Sequence, residues 1–251
     1  SCDMAGISAL SKQYKFKIIE DASQAIGGKY KDKPIGNCCY SDITVFSFHP
    51  VNIITTGEGG MAVTNDSALA KYMSLLRSHG ITSTAADMQP RPAQEIWNYQ
   101  QIYLGFNYRM TDMQAALGLS QMKRLDSFVE KRYLIAQRYD RELASLPIQT
   151  PWQHSDSYSA YHLYVIRLKL DETNKTQRQL YDALVEEEIF VNLHYIPVYR
   201  QPYYEQFGFS AGYCQEAEKY YSEVISIPMY PGLTEVQQDR IVTVIRKTLV
   251  A

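Results

Sequence analysis

The stretch from Asp42 to Gly60 constrains this chain more than any other. It opens with Ile43, Val45, Phe46 and Phe48, a short β-branched and aromatic run that predicts a strand. It breaks at His49-Pro50, because proline removes a ladder donor and restricts the residue before it. It ends in Gly57, Gly59 and Gly60, which permit positive φ or close backbone approach. Strand, break, polar loop and glycine cluster is how an open α/β protein presents a ligand-binding loop. An ordinary connection between two elements is the competing reading of the same residues.

The flanking chain reads as alternating helices and strands. Asp3 is placed to cap a helix over residues 3–15 carrying Ile7 and Leu10, and Phe16 to Ile19 predicts a short strand. Asp21 then stands just beyond a strand's C-terminal end, where open α/β sheets keep ligand sites, although a surface turn also places an acid there. Met61 to Thr64 predicts another strand. Asn65-Asp66-Ser67 leads into a helix through Leu69, Met73 and Leu76 that stops near Gly80. Residues 82–103, with Pro90, Pro92 and Trp97, predict a long irregular loop of the kind that is functional or mobile.

Thr111 to Gln114 is a capping-box pattern, and an apolar stripe from Met113 to Leu143 predicts one long helix from there to about Ser145. Beyond it, strands are expected at 161–170, 190–195 and 224–227. Helices are expected at 176–188, at 213–223 and from a second capping box at Thr234 to Gln237. The expectation is therefore an α/β protein with a first part, 1–145, ending in a connecting helix, and a smaller α/β unit, 146–251, of three strands and three helices.

Composition narrows the function classes. The 251 residues, 45% hydrophobic and 21% charged, are enough for a sizeable core. A net charge of −2 gives no electrostatic case for nucleic acid or an anionic membrane as partner. No run approaches the ~20 apolar residues of a membrane span, and no signal peptide is expected. Cys2, Cys38, Cys39 and Cys214 lack metal spacing, and reduced thiols of a cytoplasmic protein are expected. No dinucleotide glycine motif, P-loop or metal-ligand spacing occurs.

Three ordered motifs carry a resemblance. Ser47–Gly60 (SFHPVNIITTGEGG), Glu20–Ala25 (EDASQA) and Asn107–Met110 (NYRM) resemble motifs of the DegT/DnrJ/EryC1/StrS family of sugar aminotransferases, pyridoxal-phosphate enzymes of the aspartate-aminotransferase fold. The likeness runs through essentially the whole chain. It implies the C-terminal part of a large cofactor-binding domain, a mixed sheet with helices, followed by a smaller α/β domain. It also implies that roughly the first third of a usual member is missing.

The cofactor needs an acid on its pyridine nitrogen, a partner for its ring oxygen, a phosphate cup and a lysine amine. The resemblance assigns Asp21 to the first, Gln24 to the ring 3-oxygen and Ser47 to the phosphate. It gives Asn107 the phosphate of the other subunit of a homodimer, whose active sites are then shared. Asn52 departs from the pattern, standing at the position of the family's Schiff-base lysine. Three accounts are open: a substitution introduced to trap a bound intermediate, a relative with other chemistry such as a dehydratase, isomerase or inactive binding protein, or a sequence error. His49 is expected to shape the loop, and Lys29, Lys31 and Lys33 to be solvated surface.

The segment Val191–Tyr204 (VNLHYIPVYRQPYY), with Leu104–Gln114 (LGFNYRMTDMQ), resembles one branch of the family. That branch aminates C4 of a UDP-4-keto-6-deoxy-N-acetyl-hexosamine on the route to pseudaminic acid, with glutamate as amine donor and the pyridoxamine phosphate form during turnover. His194 and Tyr195 either hydrogen-bond and stack on the nucleotide sugar or are inner-strand residues with satisfied polar tips.

Overall fold

The computed structural model describes residues 1–90, 95 and 97–250. Pro92, part of the expected long loop, lies outside the described residues. The chain divides into two compact units, Ser1–Leu125 and Asp126–Ala251. The division falls at the start of a long helix, whereas the apolar pattern places it at 145, after that helix.

The first unit begins with α1 (Met4–Tyr14), whose N-cap Asp3 accepts the Gly6 N–H and whose C-cap Lys15 is left-handed at φ 58°. Next come β1 (Ile19–Asp21) and a hairpin, β2 (Lys29–Tyr30) and β3 (Lys33–Pro34). Lys31 and Asp32 both carry positive φ (49° and 60°), the backbone of a two-residue turn that matches strand twist. β4 (Ile43–Ser47) and β5 (Gly60–Val63) complete the sheet. Its strand order is β1-β4-β5, with β1 and β4 parallel and β4 and β5 antiparallel.

Asp66 caps α2 (Ser67–Arg77) by accepting the Ala68 and Leu69 N–H groups. The short strands β6 (Ile81–Thr82) and β7 (Gln100–Gln101) pair antiparallel, and α3 (Asp112–Met122) opens on the expected capping box. A small cluster of Met4, Ile18 and Tyr30 packs under α1.

The expected single helix from Thr111 to about Ser145 is two helices, α3 and α4 (Leu125–Leu143). The Arg124 N–H turns back to Gln121 O at 2.9 Å, an i to i−3 bond that tightens the chain and ends α3. Both helices are apolar enough for periodicity to run across the break. The strand expected over 16–19 begins later, at Ile19, so Asp21 is the last strand residue rather than the first loop residue.

In the second unit β8 (Ile148–Gln149), β9 (Ser157–Tyr158) and β10 (Tyr164–Leu168) follow α4. Then come α5 (Gln177–Glu186), the short α6 (Pro202–Glu205), α7 (Gln215–Glu223), β11 (Val224–Ile227) and α8 (Glu235–Val250). The sheet is β11-β10-β8, antiparallel throughout. The strand expected over 190–195 is absent. Asn192 makes a single bridge to Ser226, and its side chain accepts the Leu193 N–H, bending the backbone out of a ladder. β8 takes the third position instead.

The core of this unit is continuous. Tyr139 and Leu143 of α4, Tyr164, Ile166 and Leu168 of β10, Leu180 and Leu184 of α5, Ile225 of β11 and Ile245 of α8 are all essentially inaccessible. Within it Arg132 of α4 is buried, and its Nη1 donates to Tyr161 O (3.0 Å), His162 O (3.1 Å) and Met229 O (2.9 Å).

Candidate active site

The register of β1 on β4 pairs Asp21 with Val45, and that of β4 on β5 pairs Ser47 with Gly60. Side chains alternate along a strand, so Asp21, Val45 and Ser47 share one face of the sheet. The other face carries Glu20, Thr44 and Phe46, of which Thr44 and Phe46 are buried. There Glu20 Oε1 accepts from Ser41 Oγ and from Thr44 Oγ1 (3.2 Å), and Thr44 also meets Cys38 Sγ at 3.4 Å. One face is thus pinned, and the face bearing Asp21 and Ser47 is left half-open.

Asp21 is exposed, and its Oδ1 accepts from Ser23 Oγ at 2.6 Å and from the Ser23 N–H at 3.1 Å. The Ser23 hydroxyl, with its backbone N–H second, holds the Asp21 carboxyl below its ordinary value. The carboxylate is therefore ionised at neutral pH. Ser23 was not among the expected site residues. Its signal was the position two residues after the acid, the spacing at which a carboxylate closes an Asx turn.

The loop after β4 is closed by its own polar groups. Ser47 Oγ accepts the His49 N–H (3.3 Å), which leaves the hydroxyl proton free to be donated. Asn52 folds back on the strand end, its N–H to His49 O (3.0 Å) and its Nδ2 to Ser47 O (3.1 Å). His49 Nδ1 accepts the Val51 N–H at 3.4 Å, the loop-shaping role expected of it. Ile53 and Ile54 are buried and anchor the next residues. Phe48 O then accepts from Thr56 N (3.0 Å) and Thr55 Oγ1 (2.8 Å), and the Phe48 N–H donates to Gly59 O (2.9 Å). A Cβ on Gly60 would lie 2.6 Å from Phe46 O, so only glycine allows this approach.

Asp21, Ser47 and Asn52 are brought to one end of the β1–β4 pair. Gln24 is exposed in the turn after β1. Asn107, also exposed, bridges Ser78 beside the end of α2. Among the described residues no hydrogen bond joins either to Asp21, Ser47 or Asn52. His194 and Tyr195 lie in the second unit. His194 Nδ1 meets Ser226 Oγ at 2.7 Å, and its ring stands edge-on to Tyr195, with centroids 4.5 Å apart. Burial lowers the His194 pKa, so its ring is neutral, while Tyr195 is exposed. A cavity of about 390 Å³ in the second unit, lined by Ile189, Phe190, Pro228, Leu233 and Ile241 among others, contains none of the expected residues.

An acid at a parallel strand end, a hydroxyl on the same face and a glycine-closed loop thus stand together at one end of this sheet. The DegT/DnrJ/EryC1/StrS aminotransferase family model matches residues 1–246, and the chain belongs to that family. It is 35% identical over 249 residues to the spore coat polysaccharide biosynthesis protein SpsC of Bacillus subtilis, covering 98% of this chain and 63% of that protein. It is 37% identical over 231 residues to a UDP-4-amino-4,6-dideoxy-N-acetyl-beta-L-altrosamine transaminase of Campylobacter jejuni, covering 92% of this chain and 58% of that one. Its structure resembles that of Helicobacter pylori PseC, an aminotransferase involved in the biosynthesis of pseudoaminic acid, with a TM-score of 0.87 and 30% identity. That match covers 100% of this chain and 64% of the other. The chain thus spans under two thirds of the length of these relatives. No helix among the described residues is long and apolar enough to cross a membrane.

Proposed function

We propose that this chain carries the cofactor end of a nucleotide-sugar aminotransferase, one that moves an amino group from glutamate to C4 of a UDP-4-keto-6-deoxy-N-acetyl-hexosamine. The altrosamine transaminase and PseC are the relatives that support this substrate class. The observation that carries the reading is the ionised Asp21, held by Ser23 on the same sheet face as Ser47. Pyridoxal phosphate, when bound, supplies a protonated ring that withdraws electrons from a carbon bearing the amino group.

This chain's residues fit the non-covalent part of that task. The Asp21 carboxylate would keep the pyridine nitrogen protonated, and the Gln24 amide would donate to the ring oxygen. The Ser47 hydroxyl, with its proton unengaged, would donate to the phosphate. Asn107 would reach the phosphate of a second copy, so the working form is a homodimer with shared sites. His194, neutral and fixed by Ser226, and Tyr195 would meet the nucleotide sugar.

The covalent part does not fit. Asn52 presents an amide engaged with Ser47 O, and an amide is neither an amine nucleophile nor a base. The chain as it stands is therefore expected to hold cofactor reversibly and not to turn over. The test is incubation with pyridoxal phosphate, borohydride reduction and mass spectrometry. No adduct is expected on this chain, and Asn52→Lys should gain one at residue 52. A lysine adduct on the Asn52 chain together with glutamate-dependent amination would overturn the assignment.

A further inference from the structure

The helix α3 turns one stripe of its surface toward the loop that follows Asn52. Gln114, Gly118 and Gln121 are spaced i, i+4, i+7, which puts them on a single face. Each meets the loop. Gln121 Oε1 accepts the Thr55 N–H at 2.9 Å. Gln114 Nε2 donates to Glu58 O at 3.1 Å. Gly118 is buried, and a Cβ there would stand 2.7 Å from Thr56 Cγ2. Other polar groups of the loop turn back on it or on the strand end: Thr55 Oγ1 and the Thr56 N–H to Phe48 O, Gly57 N–H to Thr55 Oγ1, and Thr56 Oγ1 to Glu58 O.

We propose that Gln114, Gly118 and Gln121 are positioning residues that set where loop 52–60 stands against the sheet end carrying Ser47, with Gln114 serving the loop as a donor and Gln121 as an acceptor. The roles follow from the backbone groups they meet. Thr55 N–H has a proton to give, so Gln121 must present oxygen; Glu58 C=O has none, so Gln114 must present nitrogen. Gln114 has a second duty, because its Oε1 accepts the Thr111 N–H (3.0 Å) in the capping box. Gly118 lets the helix come close enough for both bonds to form. The loop's cofactor-facing role rests on the function proposed above; its mechanical dependence on α3 does not.

The opposed roles give a test that simple packing would not pass. Replacing either glutamine by glutamate preserves volume and shape. Gln121→Glu keeps an acceptor for Thr55 N–H, and Gln114→Glu keeps the acceptor for the helix cap but sets a carboxylate against Glu58 C=O. Amide hydrogen exchange of the whole chain is measured for Thr55 to Gly60, alongside fluorescence titration with pyridoxamine phosphate. Gln121→Glu is expected to exchange like the parent, whereas Gln114→Glu and Gln121→Leu exchange about tenfold faster in this loop, the scale expected for one lost hydrogen bond. Gly118→Ala should act like the second pair. Pyridoxamine phosphate affinity should fall in the same order. Equal exchange for the two glutamate variants, or loop exchange unchanged in Gln121→Leu and Gly118→Ala, would overturn the proposal. Asymmetric exchange in a chain that does not bind pyridoxamine phosphate would leave the positioning role standing and overturn the cofactor reading instead.

Discussion

His162 makes the stability of the second unit depend on pH in a direction the geometry fixes. The ring is buried, its Nδ1 has no hydrogen-bond partner among the described residues, and it faces the Arg132 guanidinium on α4 and the His194 imidazole, which becomes a second cation on acidification. Burial first, then Arg132 and His194, push its pKa from 6.5 down to about 4. Between these values the unfolded chain binds a proton that the folded chain refuses, so acidification favours unfolding. The gap sets a ceiling of about 3 kcal/mol, of which about 2 kcal/mol is lost by about pH 5. Burial also lowers the His194 pKa, so it adds a loss of the same sign. Urea melts of the chain and of His162→Leu at about pH 7 and pH 5 read this directly. The parent should lose about 2 kcal/mol more than the variant over that interval. An equal loss in both proteins would show that His162 takes up its proton as readily folded as unfolded, and would refute the reasoning.

Other perturbations test other parts. Arg132→Met should destabilise the second unit by about 2–4 kcal/mol in urea melts, because it leaves the carbonyls of Tyr161, His162 and Met229 buried without their donor while relieving the burial of a cation. Gly60→Ala forces Cβ against Phe46 O and should lower stability by about 1–3 kcal/mol, read as an earlier urea midpoint. Asp21→Asn should weaken pyridoxamine phosphate binding, followed by fluorescence, more than Gln24→Ala does. In the proposed site the first would remove a charge facing the ring nitrogen, and the second one neutral hydrogen bond, with a net value of about 1 kcal/mol.

What could be read from the chain alone was what short range decides. Asp3, Asp66, Thr111 and Thr234 each act as the caps their positions predict, because an N-cap is settled within three residues. The strand at 43–47 and the one at 224–227 were legible because their β-branched runs end against Phe48-His49-Pro50 and Pro228. The family motifs place Asp21 and Ser47, and the register then shows them on one face. Two of the three misses depended on partners distant in sequence. The strand expected at 190–195 contains the right residue types, but its ladder stops after one bridge to Ser226. The break at Lys123-Arg124 is invisible to periodicity because apolar residues continue on both sides. Gln121 was passed over since nothing local announces that Thr55, far away in sequence, supplies its proton.

Glu20 and Asp21 are neighbours with opposite fates, and the sheet makes that a question of parity. The bonds from Ser41 and Thr44 to Glu20 act as a key, because only one setting of β1 against β4 offers that carboxylate two hydroxyls. Sliding β1 by one residue would carry Asp21 to the closed side and turn Glu20 outward. The charge count would be unchanged, but the open face would present a longer, unanchored acid with no Ser23 to hold it. An inserted residue between Lys17 and Glu20 that shifts this register should therefore weaken pyridoxamine phosphate binding more than Gln24→Ala does, even in a protein that still folds.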